Sequence, residues 1–351
     1  MPEWRKDPVV DRWVIIATER AKRPHDFRCP PDQLNSGDCP LCVGNEDKTP
    51  PEVLAFRDAD SPANQPGWWI RVVPNKFPAV LPNEGYYAWQ DGIYEAMNGI
   101  GVHEVIVEST DHEPDLVNQS DRQVEEVLWA WRARLLDLRH DTRLKYIQIF
   151  KNKGRTGGAS LEHTHSQLIA IPMVPADVAE ELAGLHEYRR HRNTCAYCDV
   201  VHQELSGRDR VVRESGRFVC LVPFAARYPF EMWILPKEHQ ADFGQIGEDD
   251  IRDLAPVLRE ALLRLSEAVC RPPYNLVLHT SPINVGGELF YHWHFEIMPR
   301  LTITAGYELG TGYFINPTPP ELAAEALRDA LEGAVPPPHA YTIPEEVPKH
   351  V

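Results

Sequence analysis

YIQIFKNKGRTGGASLEHTHSQLIAIP, from Tyr146 to Pro172, reads as a strand, a glycine turn and a second strand carrying His163, His165 and Gln167 at alternate positions. Alternate side chains of an extended segment share a face, so both imidazoles and the amide can point the same way. A later stretch, YNLVLHTSPINVGGELFYHWHFEIMPR from Tyr274 to Arg300, has the same layout. Gly157 and Gly158 sit six and five residues before His163, and Gly286 and Gly287 sit at the same intervals before His292. A CxxC pair precedes each stretch: Cys39 with Cys42, then Cys195 with Cys198. The same three features in the same order twice indicate a duplicated unit, roughly residues 1–172 and 190–310.

Around these stretches, WVIIATE (13–19), WWIRVVPN (68–75) and HEVIVES (103–109) read as strands by alternation and β-branched content. Residues 121–141 carry a helical stripe of Val124, Val127, Leu128, Trp131, Leu135 and Leu138, with Ser120 as candidate N-cap. In the second unit FVCLVPF and EMWILPK read as strands and residues 248–269 as the matching helix. Residues 175–193 read as a helical connector, and the tail after Pro336 is proline-rich. The expected fold class is α+β, antiparallel sheets with flanking helices, divided as 1–172 and 173–351.

With 351 residues the chain can bury a sizeable core. A formal net charge of −16 disfavours a general nucleic-acid or anionic-membrane binder, though a local Arg and Lys cluster can still hold a phosphorylated substrate. MPEWRKDPVVDRW has no apolar signal core, and no run reaches the ~18 apolar residues of a membrane span, so a cytosolic location is expected. Seven cysteines, an odd number, then argue for metal binding or redox chemistry over a disulfide framework.

A thioredoxin-type CxxC opens a helix after a strand of a βαβ unit, whereas CPLC follows the turn-like PDQLNSGD. Zinc needs four ligands. His112 and His163 are the candidates to complete Cys39 and Cys42; His239 and His292 are those for Cys195 and Cys198. Cysteines packed in a core are the plainer alternative. Two closed zinc sites would be structural, each tying a CxxC loop to a His-x-His strand. His165, on the face of His163 but outside that ligand set, is then free to act as a neutral nucleophile towards phosphorus. Gln167 can donate an amide hydrogen to a phosphoryl oxygen without supplying a proton. The glycines allow close backbone approach, and Ser160 adds a hydroxyl. A lone histidine here would more simply be a satisfied polar residue on a half-buried strand; the complete HxHxQ after a glycine pair favours the chemical reading.

NKGRTGGASLEHTHSQ resembles the active segment of the galactose-1-phosphate uridylyltransferase family, the transferase branch of the histidine-triad superfamily. RAKRPHDF, CPLC, VPNKFPAV, DHEPDL, LPKEHQADF, HWHFEIMPRL and AGYELGTG also have counterparts in the family's order. The resemblance implies two fused histidine-triad-like repeats and a ping-pong nucleotidyl transfer through a nucleotidyl-histidine, in galactose metabolism. It implies His165 as nucleophile with Gln167 supporting the phosphoryl group. It further implies Arg20, Arg23, Asn152, Gly158 and Ser160 near the phosphates, Asn75 near the nucleoside, and Tyr307 with Glu308 on the hexose. Taken singly, either arginine would be read as a solvated surface charge. The implied partners are a nucleotide sugar, a sugar 1-phosphate or phosphate, and a second copy of the chain in a homodimer.

This chain departs from the family's usual pattern in three places. His-Thr-His-Ser-Gln stands where typical members have His-Pro-His-Gly-Gln. The Cys195 and Cys198 pair replaces a glutamate-and-histidine metal site of well-known bacterial members. HTHSQ, the second CxxC and GTGYFINP look closer to a plant-type branch resembling ADP-glucose phosphorylases. In the second unit His294 matches His165, but Phe295 and Glu296 follow it, and a carboxylate facing a phosphate is repulsive; no second active site is expected. The leading expectation is a UDP-glucose–hexose-1-phosphate uridylyltransferase, with an ADP-glucose phosphorylase next. A dinucleoside polyphosphate hydrolase is disfavoured because Gln167 replaces the third histidine of those enzymes. A zinc-dependent interaction module is the non-enzymatic alternative.

Overall fold

The computed structural model describes residues 2–22, 39–82, 85–112, 115–284 and 290–331. The first half contains β1 (Glu3–Lys6), β2 (Trp13–Ile16), β3 (Leu54–Arg57), β4 (Trp68–Pro74), β5 (Ala88–Asp91), β6 (Tyr94–Met97), β7 (Val102–Val107), α1 (Asp121–Leu138), β8 (Tyr146–Lys153) and β9 (His165–Ile171). The second contains α2 (Ala176–Arg192), α3 (Ala196–Gly207), β10 (Val211–Glu214), β11 (Phe218–Leu221), β12 (Met232–Pro236), α4 (Glu248–Ala268), β13 (Tyr274–His279), β14 (His294–Pro299), α5 (Gly306–Thr311), β15 (Phe314–Asn316) and α6 (Pro320–Asp329).

Ten of these strands form one sheet in the order β10-β11-β12-β14-β13-β8-β9-β7-β4-β3. Every neighbouring pair in it is antiparallel. From the centre outward, β8, β9, β7, β4 and β3 mirror β13, β14, β12, β11 and β10, so the fold is α+β with two like halves. The halves meet where β8 pairs β13, Asn152 opposite Asn275 and Phe150 opposite Val277. The WVIIATE run does form β2, but it lies in a separate three-stranded sheet with β1 and β15.

Ser120 caps α1, its hydroxyl accepting from the Gln123 N–H at 3.1 Å. The stripe expected from the sequence is buried, with Val124, Val127, Leu128 and Leu135 fully covered. Each such side chain contributes about 1.5–3 kcal/mol before ordering entropy. Helix α4 buries Ile251, Leu254, Leu258 and Leu265 into the same core, packed beside α1. Both helices cover one face of the sheet, where the Trp131 indole reaches Ser166. His165 and Gln167 therefore project from the other face. No helix among the described residues is long and apolar enough to cross a membrane.

Candidate active site

His165 opens β9, opposite Val107 of β7, and Gln167 lies between Val105 of β7 and Phe150 of β8. His165 is 5 % exposed. Its Nδ1–H donates to the His163 carbonyl at 2.7 Å, which leaves the lone pair on Nε2. Burial, and secondarily the Lys151 ammonium, hold the imidazole below its ordinary pKa, so it is neutral at pH 7. Beneath it Lys151 Nζ is bonded to Glu108 Oε2 (2.6 Å), Thr164 Oγ1 (2.8 Å) and the His165 carbonyl (3.3 Å).

The glycine turn before this strand is held by the second half of the chain. A Cβ on Gly157 would meet the Tyr274 carbonyl oxygen at 2.9 Å, and Gly158 adopts a left-handed φ of +87°. Asn275 donates to the Gly157 carbonyl (2.6 Å) and to Asn152 Oδ1 (2.7 Å), and its own Oδ1 accepts from the Arg300 Nε–H. A cavity of about 740 Å³ opens over this seam, lined by Phe150, Asn152, Gly158, Asn275 and Arg300 among others.

Cys39, Cys42, His112 and His163 bring their ligand atoms within 4.8 Å of one another, and so do Cys195, Cys198, His239 and His292. In the first group Cys42 Sγ is 3.3 Å from His112 Nδ1 and 3.6 Å from His163 Nδ1. In the second Cys198 Sγ is 3.5 Å from His239 Nδ1 and 3.6 Å from His292 Nδ1. These are edge lengths of a tetrahedron around one cation. His163 donates from Nε2 to the Ser109 carbonyl (2.8 Å) and His292 to that of Pro236 (2.9 Å), which turns both Nδ1 lone pairs inward. Burial depresses His163 to about 4, keeping it a neutral donor. Both groups suit a metal ion. Cys195 opens α3, but it follows helix α2 and not a strand, which separates it from the thioredoxin arrangement.

The second half's counterpart of the His165 position is closed. His294 stacks on His279 at 4.7 Å and 12°, and Tyr197 covers it at 4.7 Å. Burial holds His294 down to about 4. Glu296 is bonded to Arg227 and lies 3.4 Å from His279. Glu181, His279 and His294 also cluster closely enough for a cation. There, however, the His279 ring bridges Glu181 and Glu296; burial opposes its charge, and the two carboxylates push it up to about 10.

Asn75 lies beside Gln167 through His103: Asn75 Nδ2 is 3.1 Å, and Gln167 Oε1 2.9 Å, from His103 Nε2. Ser160 is exposed two residues past Gly158. Arg20 sits on a short 3-10 turn (Thr18–Lys22) after β2, and no described contact joins it to His165. Tyr307 is 41 % exposed on α5, and Glu308 caps its own helix by accepting from the Ala305 N–H at 3.1 Å. Neither meets the His165 strand among the described residues. Arg23, Gly286 and Gly287 lie outside the described residues. His103, Asn275 and Arg300 escaped the sequence reading: His103 was a strand position in HEVIVES, and nothing local announces that β7 pairs β9 or that β13 crosses to β8.

The family model described as galactose-1-phosphate uridyl transferase, N-terminal domain, matches residues 1–175, and its C-terminal counterpart matches 181–333. The chain belongs to the galactose-1-phosphate uridylyltransferase family. It is 37 % identical to the ADP-glucose phosphorylase of Arabidopsis thaliana over 93 % of each chain. It is 30 % identical to the galactose-1-phosphate uridylyltransferase of Thermotoga maritima, over 94 % of this chain and 98 % of that one. The solved structure of the Arabidopsis ADP-glucose phosphorylase with bound ADP-glucose superposes with a TM-score of 0.80 at 35 % identity, covering 94 % of this chain and 99 % of that one. A solved uridylyltransferase gives 0.74 at 28 % identity, covering 95 % and 99 %. Members of this uridylyltransferase family are nucleotidyltransferases acting on nucleotide sugars and sugar phosphates.

Proposed function

We propose that this chain moves a nucleoside monophosphate from a nucleotide sugar to a phosphate acceptor through a covalent intermediate on His165 Nε2. The His165 ring carries the reading: it is neutral, its Nδ1–H is committed to the His163 carbonyl, and its one lone pair sits on Nε2. In the first half-reaction Nε2 attacks the α-phosphorus, and the sugar 1-phosphate leaves with the P–O electron pair. In the second an acceptor oxygen attacks the same phosphorus and the N–P pair returns to Nε2. No proton has to move in either half, which is why an amide at 167 serves. Gln167 donates to the phosphoryl oxygens where charge builds.

Asn152, Gly158, Ser160, Arg20 and Arg23 are assigned to the phosphates, Asn75 to the nucleoside, and Tyr307 with Glu308 to the hexose. Two thiolates and two imidazoles in a tetrahedron favour zinc in both metal groups, as a structural ion that fixes each CxxC loop to its His-x-His strand. The units divide at residue 172. Exposed Tyr86, Tyr87, Trp89, Ile93 and Tyr94 around the β5–β6 hairpin favour self-association, here assigned to a cytosolic homodimer.

The sequence put the UDP-glucose reaction first. The higher identity to ADP-glucose phosphorylase, together with HTHSQ and the second CxxC, moves the ADP-glucose donor and phosphate acceptor ahead. The test supplies ADP-glucose or UDP-glucose, each with phosphate or galactose 1-phosphate. ADP and glucose 1-phosphate from the first pair is the expected result. Turnover only of UDP-glucose with galactose 1-phosphate would return the uridylyl reading, and absence of any labelled enzyme with either sugar nucleotide would sink the covalent mechanism.

A further inference from the structure

The backbone contact to Ala79 selects the His103 tautomer. The Ala79 backbone N–H points at His103 Nδ1 from 3.1 Å, so Nδ1 is an acceptor and the ring hydrogen is on Nε2. That Nε2–H faces Gln167 Oε1 at 2.9 Å. The opposite tautomer would aim a ring N–H at the Ala79 N–H, which cannot rotate away. Asn75 Nδ2, also 3.1 Å from Nε2, sits on a rotatable amide whose oxygen is already held by the Phe77 N–H at 2.9 Å. With the hydrogen on Nε2 the Asn75 amide makes no bond to that nitrogen, a loss that a side chain accommodates more readily than the fixed Ala79 N–H would.

We infer that His103 is the positioning residue of the catalytic amide: its Nε2–H holds Gln167 Oε1, so that the Gln167 NH₂ faces the transferred phosphoryl group. The inference rests on the nucleotidyl-transfer reading above. An unheld glutamine amide is equally able to present its oxygen, which would repel a phosphate. Holding the oxygen removes that orientation before substrate arrives, the kind of preorganisation that lowers a barrier without tightening ground-state binding. The Asn75–Ala79 segment holds this residue twice, the Ala79 N–H at the ring Nδ1 and the Asn75 N–H at the His103 backbone carbonyl (2.8 Å). The segment assigned to the nucleoside and the amide assigned to the phosphoryl group thus share one imidazole as their bracket.

The test is a double-mutant cycle on transfer from radiolabelled ADP-glucose and UDP-glucose to the enzyme, with thermal melts as the check of folding. His103→Leu keeps bulk and loses the donor; His103→Gln restores an N–H near the Nε2 position. We expect His103→Leu to slow label transfer by about tenfold or more, with KM for the sugar nucleotide changed by less than about threefold. His103→Gln should recover most of that loss. In a Gln167→Ala background His103→Leu should cost nothing further, since residues acting through one another are not additive. Independent, multiplying losses, or equal losses in the Leu and Gln variants, would overturn the positioning role. Undiminished transfer in Gln167→Ala alone would instead strike the parent reading, and the inference with it.

Discussion

Trp131 donates its indole N–H to the Ser166 hydroxyl at 2.8 Å, one residue from His165 but on the opposite face of the strand. Thr164 likewise turns into the buried Lys151–Glu108 pair, donating to Glu108 Oε2 at 2.7 Å. The two positions where this segment departs from His-Pro-His-Gly-Gln are therefore anchored in the core, away from the face that carries His165 and Gln167. Ser166→Gly, which restores the usual residue, leaves a buried indole N–H unpaired. It should lower stability by about 1–3 kcal/mol in urea unfolding while leaving the preference between ADP-glucose and UDP-glucose unchanged. A switch of nucleotide preference in this variant would contradict the assignment.

The proposed nucleophile is open to a trapping test. With radiolabelled nucleotide sugar and no acceptor, acid-labile, base-stable label should accumulate on His165. His165→Gly should lose transfer and regain part of it with added imidazole, because the emptied space admits the free ring.

Gln167→Glu keeps an oxygen for His103 but presents the second carboxylate oxygen to the phosphoryl group. In this half-buried setting repulsion replaces a hydrogen bond, and turnover should fall by about a hundredfold or more, with a smaller change in sugar-nucleotide affinity. Steady-state kinetics of both half-reactions decides it; near-normal turnover would remove Gln167 from the phosphoryl group.

Metal analysis should find about two zinc ions per chain, with Cys39→Ser and Cys195→Ser each losing about one. Each group offers four protein ligands, which would leave no open position on a tetrahedral ion, so the loss should appear first as a lower melting temperature. Zinc-free protein with an unchanged melt would exclude the structural role.

His279 supplies a pH test. Its folded value of about 10 lies above the ordinary histidine value of about 6.5, so the folded state binds the extra proton. The resulting stability is fully present below about pH 6.5 and is lost as pH rises through about 10. Melting temperatures measured from pH 7 to pH 10 should fall more steeply for the wild-type protein than for His279→Gln. Parallel slopes would mean that the Glu181–His279–Glu296 bridge carries no net proton linkage.

Local pattern in the chain was enough for the repeat, the helical stripe of α1, the existence of helix α4, the Ser120 cap and the four-residue composition of each metal group. These follow from short-range rules: alternation selects a strand face, a 3.6-residue period selects a helix face, and a CxxC with a spare histidine states a ligand count. Tertiary structure alone decided that the two halves share one ten-stranded sheet, because pairing β8 with β13 joins residues more than a hundred positions apart. That seam is what sets Asn275 on the Gly157 carbonyl and brings Arg300 to the cavity. The pairing of β7 with β9 likewise sets His103 against Gln167, and the packing of α3 over β14 closes His294 under Tyr197. A side chain's type is written at its own position, but its partner across a sheet is fixed only when distant strands find their register.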